Sequence, residues 1–437
     1  MNRHILTSTL FVLFVNAEVF AQSGTNSPYS RFGLGKIAEQ SIGMSRGMNG
    51  VGVALREHGH VNYLNPSSYS AIDSLTFIFD VGLSLQNTNF KENGVSKNAK
   101  NGDFEYAVGG FRALRHFGMA FGIMPYTNVG YNYSSKPTTI TGYTMAPSIE
   151  ENTTMTNTYS GSGGLHQFFI GMGWEPCRNF SIGMNVNYLF GELTNNTSSA
   201  FSYSNSRAMS KSFTTEVKTV KFDIGTSYTL NLKNKNSLTF GLTYTPGYKI
   251  NADEQCVIIT RVDQSSVADT TVYTAANATA IPTQWAFGLS YKHAKKWIVG
   301  LDYSLQRWSS IKSVAYTKGT DIVGYTDSFN DRHSIKIGAQ YCQNEASLNF
   351  SDRLRYRFGL GYTSSYLKIN GQNGPSEINL CAGIGIPIQN RYNNRSVVNV
   401  ALQWSRASAK NMITENTFLL NIGITFNENW FAKWKFD

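Results

Sequence analysis

The sequence predicts an all-β fold: a 14-stranded antiparallel transmembrane β-barrel with an N-terminal hatch, or plug, in its lumen. Three observations lead there. Apolar residues alternate with small or polar ones over run after run. The connections between runs are short and long in turn. A Gly-rich segment that lacks this alternation precedes the first run.

The alternation begins at Leu75, Phe77, Phe79, Val81, Leu83 and Leu85, with Thr76, Asp80, Gly82, Ser84 and Gln86 between them. It recurs at Trp285–Tyr291, at Trp297–Leu305 and, last, at Phe418, Leu420, Ile422, Ile424 and Phe426. Period two means that one face of a strand meets an apolar medium and the other does not. Fourteen runs satisfy it: 75–89, 103–115, 117–134, 161–176, 178–193, 211–231, 236–251, 281–293, 296–308, 329–342, 353–368, 376–388, 396–406 and 414–426. Each is long enough for a tilted membrane strand of roughly 9–11 residues. The even count suits a single-chain barrel.

Several connections are tight: Arg115-His116-Phe117, Glu175-Pro176-Cys177-Arg178, Lys233-Asn234-Lys235 and His293-Ala294-Lys295-Lys296. Those between them are long and polar: 134–160, 195–210, 252–280 and 309–328. Short periplasmic turns and long outer loops are the outer-membrane pattern, and a β-sandwich has no reason to alternate in this way. The connections 343–352 and 389–395 depart from it. Tyr126, Trp174, Tyr188, Tyr228, Tyr244, Trp285, Trp297, Trp308, Tyr341 and Trp404 stand near run ends and read as interfacial girdles.

Composition agrees. Aromatics make up 13% of the 437 residues and charged residues only 15%, with 39 Gly. No apolar stretch approaches the ~20 residues of a membrane helix, which excludes a helical membrane protein. Residues 1–21 read as a signal peptide: Arg3 and His4, an apolar run, then Val19-Phe20-Ala21. The expected organisation is signal peptide 1–21, hatch 22–73, barrel 74–426 and periplasmic tail 427–437. The expected location is the outer membrane, with both termini periplasmic. Cys177, Cys256, Cys342 and Cys381 show no metal or redox spacing. The net charge of +10 is dispersed, so no nucleic-acid partner is indicated.

Residues 22–73 carry the remaining information. They contain Ser30-Arg31-Phe32-Gly33-Leu34-Gly35, Gly50-Val51-Gly52-Val53-Ala54-Leu55 and Asn65-Pro66-Ser67. Many Gly residues on the lumen phase of the runs, among them Gly118, Gly173, Gly183, Gly225, Gly288, Gly300, Gly338 and Gly359, make the inner wall thin enough for an occupied interior. Gly50, Gly52, Asn65, Pro66 and Ser67 resemble the hatch of the FadL-type family of hydrophobic-compound transporters, in which a Gly-rich stretch precedes Asn-Pro-Ala and the barrel has fourteen strands. Ser67 stands where that family more usually has Ala. The likeness covers the mature chain in architecture and residues 43–72 in motif. The Ser-Pro-Tyr-Ser-Arg-Phe-Gly-Leu-Gly start and the Asn-Trp-Phe-Ala-Lys-Trp tail resemble Bacteroidota members.

Four inward-phase charges, Asp80, Asp302, Lys336 and Arg357, are expected to contact hatch groups or lumen water, or else to line a ligand path. No catalytic motif stands out. Gly161-Ser162-Gly163-Gly164 is no nucleophile elbow, and His58-Gly59-His60 has no further ligands in sequence, so it reads as a polar contact between hatch and wall. The chain is read as no enzyme, and no cofactor is implied. The resemblance implies passive uptake of a hydrophobic or amphipathic small molecule or lipid, driven by burial of apolar surface. The rival reading is a non-transporting barrel subunit of an outer-membrane protein assembly or secretion machinery, docking other outer-membrane proteins or surface lipoproteins through long outer loops such as 138–161. Outer-membrane lipid is a partner in either case.

Overall fold

The computed structural model describes residues 24–140, 153–202, 207–250, 252–262, 268–276, 279–294, 296–311, 313–316, 322–326, 329–369, 371–388 and 396–429. Fourteen strands close an antiparallel barrel. They are β1 (Thr76–Glu92), β2 (Val95–Leu114), β3 (Phe117–Ser134), β4 (Thr153–Cys177), β5 (Phe180–Phe201), β6 (Arg207–Asn231), β7 (Asn236–Thr245), β8 (Gln284–His293), β9 (Trp297–Gln306), β10 (Arg332–Cys342), β11 (Arg355–Thr363), β12 (Ser376–Ile388), β13 (Ser396–Ser408) and β14 (Thr414–Asn429). Each pairs with its neighbours in sequence, and β14 closes on β1 from Asn429↔Thr76 to Thr414↔Lys91. Closure pairs every strand of the ring on both sides, which is why a spanning sheet must be a barrel. The expected signal peptide and the tail beyond Asn429 lie outside the described residues.

The predicted phase is the observed one. Phe79, Leu83, Leu85, Phe287, Leu301 and Ile337 point outward and are exposed, while Asp80, Ser84, Asp302 and Asn421 are buried on the lumen side. The tight turns fall where expected, with positive φ at His116, Asn179, Asn234, Lys235 and Ala294. Of the aromatics assigned to girdles, Trp174, Tyr188, Tyr228, Trp285 and Trp297 are exposed on the outer face. Tyr126 and Trp308 are corrected: both are buried inside the barrel mouth. Position near a strand end does not distinguish the two faces, and Trp308 lies beyond the end of β9, in a short 3-10 turn.

The long connections contain more structure than sequence suggests. Strands β4, β5 and β6 run 25, 22 and 25 residues, well past membrane needs. The connection 252–280 holds a hairpin, Ala252–Val262 with Ala268–Ala276, which pairs with the long-loop end of β6. The two halves of β6 thus serve different neighbours: Ile224–Asn231 pairs with β7, Arg207–Val217 with the hairpin.

Among the described residues the ring of fourteen strands has an interruption between β2 and β3. Strands β2 and β3 pair only between Ala107–Leu114 and Phe117–Ile123. Above that point β3 bulges at Pro125–Thr127. Pro125 has no N–H to donate, so it suits an edge or a bulge. The exposed edge of β3 is taken by the N-terminal segment: Lys36 and Ile37 form a short antiparallel strand against Asn128 and Thr127. Ala38 N–H donates to Tyr126 O (3.0 Å) and Gln40 Nε2 to Pro125 O (2.9 Å). Gly24 sits between Asp103 on β2 and Asn128 on β3, where any side chain would overlap both.

Candidate functional site

The N-terminal segment traverses the lumen from the long-loop end to the short-turn end. Residues 43–72 form the lower hatch, built from two 3-10 helices, Gly43–Met48 and Pro66–Ala71, and the turn-rich ribbon between them. Its apolar side chains are buried in two clusters. One joins Ile42, Val61, Tyr63, Tyr69 and Ile72 to wall residues such as Val108 and Phe169. The other joins Met44, Met48, Val51 and Leu55 to Ile298.

The ribbon rests on a belt of glycine. Gly118, Gly173, Gly183 and Gly225 pair across β3, β4, β5 and β6, Gly241 pairs with Gly288, and Gly300, Gly338 and Gly359 pair across β9, β10 and β11. Hatch backbone lies directly on most of them, while Gly225 meets the Asn65 and Pro66 side chains and Gly300 that of Val51. A Cβ at Gly118 would overlap Tyr69 O, one at Gly183 the Pro66 carbonyl, and one at Gly241 Val53 O. At Gly173 it would stand 2.5 Å from Pro66 O and at Gly338 2.6 Å from Met48 O. These neighbours are backbone, so a side chain cannot be accommodated by rotamer change.

Each motif residue of the hatch has a local role. Asn65 caps the second 3-10 helix by accepting from Ser67 N–H (3.1 Å), and its Nδ2 donates to Val53 O (2.7 Å) and Thr226 O (3.0 Å). Pro66 opens that helix, where the missing N–H costs nothing. The Ser67 hydroxyl bridges Asn65 Oδ1 and Ser227 Oγ on β6, contacts an Ala could not make. Gly50 has φ +77 and faces Glu39 and Lys336. Gly52 and Val53 donate their N–H groups to Asp302 Oδ2 at 2.6 and 2.9 Å.

Asp302 and Lys336 therefore hold the hatch, the latter through Glu39 Oε2 at 2.7 Å. Asp80 and Arg357 bond instead to wall groups. Asp80 accepts from Thr425 Oγ1 (2.7 Å), and Arg357 donates to Gln340 Oε1 and Asn399 Oδ1 (2.7 Å each). Gly43 and Gly47 pack against these two side chains. Three further ion pairs stitch hatch to wall: Arg46–Glu105 (2.5 Å), Arg56–Glu175 (2.7 Å) and Glu57–Lys292 (2.5 Å). Sequence reading missed Glu39, Arg46, Arg56 and Glu57, because the hatch has no periodicity to say which way a side chain points.

Burial raises the Glu39 carboxyl, but the Lys336 ammonium and Arg46 guanidinium outweigh it and hold it below the usual range. The two histidines of His58-Gly59-His60 part company. His58 is exposed and contacts Ala71 O (2.9 Å) within the hatch itself, while His60 is buried. Burial, reinforced by the Arg357 charge, pushes His60 down to about 3.

A second closure lies at the long-loop end. Leu34, Tyr126, Trp308, Phe329, Tyr366 and Leu367 form one buried cluster, against which Tyr29, Phe32 and Ile37 pack. Trp308 and Tyr366 rings lie 4.4 Å apart, and Tyr366 Oη donates to Gly35 O (2.5 Å). Between mouth and hatch remains a cavity of about 250 Å³, lined by charged groups such as Glu39, Arg46, Lys221, Asp223 and Arg332. Small-molecule sites are ordinarily larger than this and mostly apolar.

A sequence model of the BamG family matches residues 1–437. The chain belongs to the BamG family. No significant match was found among curated proteins. Solved structures share the fold at low identity. The toluene transporter TbuX of Ralstonia pickettii is similar with TM-score 0.61 at 16% identity, covering 90% of this chain and 99% of its own. A FadL homologue of Pseudomonas aeruginosa gives 0.59 at 11%, covering 90% and 99%. The toluene transporter TodX of Pseudomonas putida gives 0.56 at 13%, covering 92% and 100%. This BamG-family chain thus has the fold of FadL-type barrels. At these identities the likeness speaks to fold and to nothing finer.

Proposed function

We propose that this protein is a non-transporting outer-membrane barrel: a sealed scaffold subunit of an outer-membrane protein assembly machinery. One observation carries the reading: the lumen is closed twice, at the mouth by an apolar cluster and below by a hatch seated backbone-to-backbone on a glycine belt. The chamber left between the closures is small and charged, a poor host for an apolar solute. Membership of the BamG family supports the assembly role. The outer parts of β4, β5 and β6, with the added hairpin, give a broad polar sheet on which partner proteins can dock.

A second reading, uptake of hydrophobic or amphipathic molecules, is favoured by the likeness in fold to toluene transporters and by the interrupted pairing of β2 with β3. That interruption would serve as a side exit only if the segment 24–40 left it.

Affinity purification of the full chain from its own membrane in mild detergent separates the two. The scaffold reading expects stoichiometric recovery with other envelope proteins. A monodisperse monomer carrying a lipid-like molecule in its lumen would overturn it in favour of uptake.

A further inference from the structure

The outer face of the barrel carries a dish of about 920 Å³ across β10–β14, β1 and β2. Opposite it, on the lumen side, Gly338, Gly359 and Gly383 lie against Met48, Asn49 and Gly47 of the hatch. Phe358, Leu402 and Phe418 stand proud of the dish at 61%, 64% and 63% exposure, with the small Ala382 among them.

The chemistry changes in rows along this face. The innermost row, Leu402–Leu420–Leu85, is aliphatic. The next, Trp404–Phe418–Asn87–Lys100, is aromatic and then polar. The row nearest the long loops, Arg406–Asn416–Asn89–Asn98, is basic and amide-bearing. Lys100 and Arg406 are both exposed and form no ion pair among the described residues. Three strand spacings and two residues separate them, roughly 16 Å.

An aliphatic band bordered by an aromatic row is the ordinary outer wall of a membrane barrel; the dish and the two exposed cations beyond the aromatic row are what this face adds. We infer that this face is a binding site for one anionic, multi-acyl phosphoglycolipid of the outer leaflet. The dish takes acyl chains by burial of apolar surface. Lys100 and Arg406 each meet a phosphate, and Asn87 and Asn416, with the hydrogen-bonded pair Asn89–Asn98 between the cations, meet sugar hydroxyls. Basic residues at the headgroup level are the ordinary means of holding anionic lipid. The inference rests on the long loops facing outward and does not depend on what the sealed lumen does.

The test is native mass spectrometry of the detergent-purified full chain offered diphosphorylated lipid A, the same lipid dephosphorylated, or phosphatidylglycerol. The expected result is one retained lipid A, preferred at least tenfold over the other two. The paired substitution K100E and R406E, and separately A382W in the dish, should each remove most of it. Both sites face outward, so the variants keep the heat-dependent gel mobility of a folded barrel. Equal retention of the dephosphorylated lipid or of phosphatidylglycerol, no retention at all, or retention undiminished in both variants would overturn the inference.

Discussion

Gly118, Gly183 and Gly241 are where one methyl group meets the backbone of the hatch. Overpacking in a closed core costs typically about 1–3 kcal/mol. Here the obstructing atoms are carbonyls that cannot turn aside, so the upper part of that range is expected. Gly183→Ala should expose the hatch to protease in the folded, detergent-solubilised protein, whereas Gly102→Ala, which meets only a Leu85 methyl at 3.3 Å and Ser84 O at 3.8 Å, should not. Equal protease resistance of both variants would count against the belt. Gly118 and Gly183 were readable as lumen-phase positions because strand alternation fixes the face of every residue. The same logic placed Asp302 and Lys336 inside. It could not supply their partners, for Glu39, Gly52 and Val53 belong to a ribbon without period.

At the scale of elements, the hatch carries its own response to acid. His60 has an ordinary value of 6.5 and is held at about 3 in the fold, by burial first and by Arg357 second. Between those values the unfolded segment binds a proton that the seated one does not. His60's contribution to the stability of the hatch is therefore full above pH 6.5 and is lost as pH drops toward 3. Limited proteolysis of residues 24–73 should accelerate over that window, and His60→Gln should flatten the dependence. An unchanged pH profile in the variant would remove His60 as the cause. At the other end, Trp308 fills the mouth against Phe329 and Tyr366. Removing such a buried ring costs about 3–5 kcal/mol. Trp308→Ala should speed thiol labelling of Ser304→Cys in the charged chamber, measured with the native cysteines replaced, while leaving the barrel folded. Labelling no faster than in the parent would mean that the mouth is closed by something else. The plug itself was expected from sequence, but neither its seating on the wall nor the closure of the mouth could be drawn from sequence alone. Trp308 and Tyr126 read as girdle residues because an aromatic near a strand end looks the same from either side. The strand pair Ala252–Val262 and Ala268–Ala276 read as a loop because much of it is exposed on both faces, which erases the alternation a strand needs to be seen.

For the whole molecule, the barrel was the legible part. Fourteen runs, their phase and their tight turns follow from one constraint: apolar outside, small or polar inside, every strand paired. The strand ends were less legible, since β4, β5 and β6 leave the region where apolar matter enforces the pattern and continue as Thr-, Ser- and Asn-rich sheet. The degree of closure was least legible of all. It arises from contacts between a segment without period and a wall far away in sequence. Conductance in planar bilayers tests that closure most directly, on the full chain and on a chain lacking residues 22–72, both checked for the heat-dependent gel mobility of a folded barrel. The full chain should give no channel steps and the shortened chain steady ones. Open steps from the full chain, or a folded shortened chain that stays silent, would contradict a lumen sealed by its own N-terminal segment.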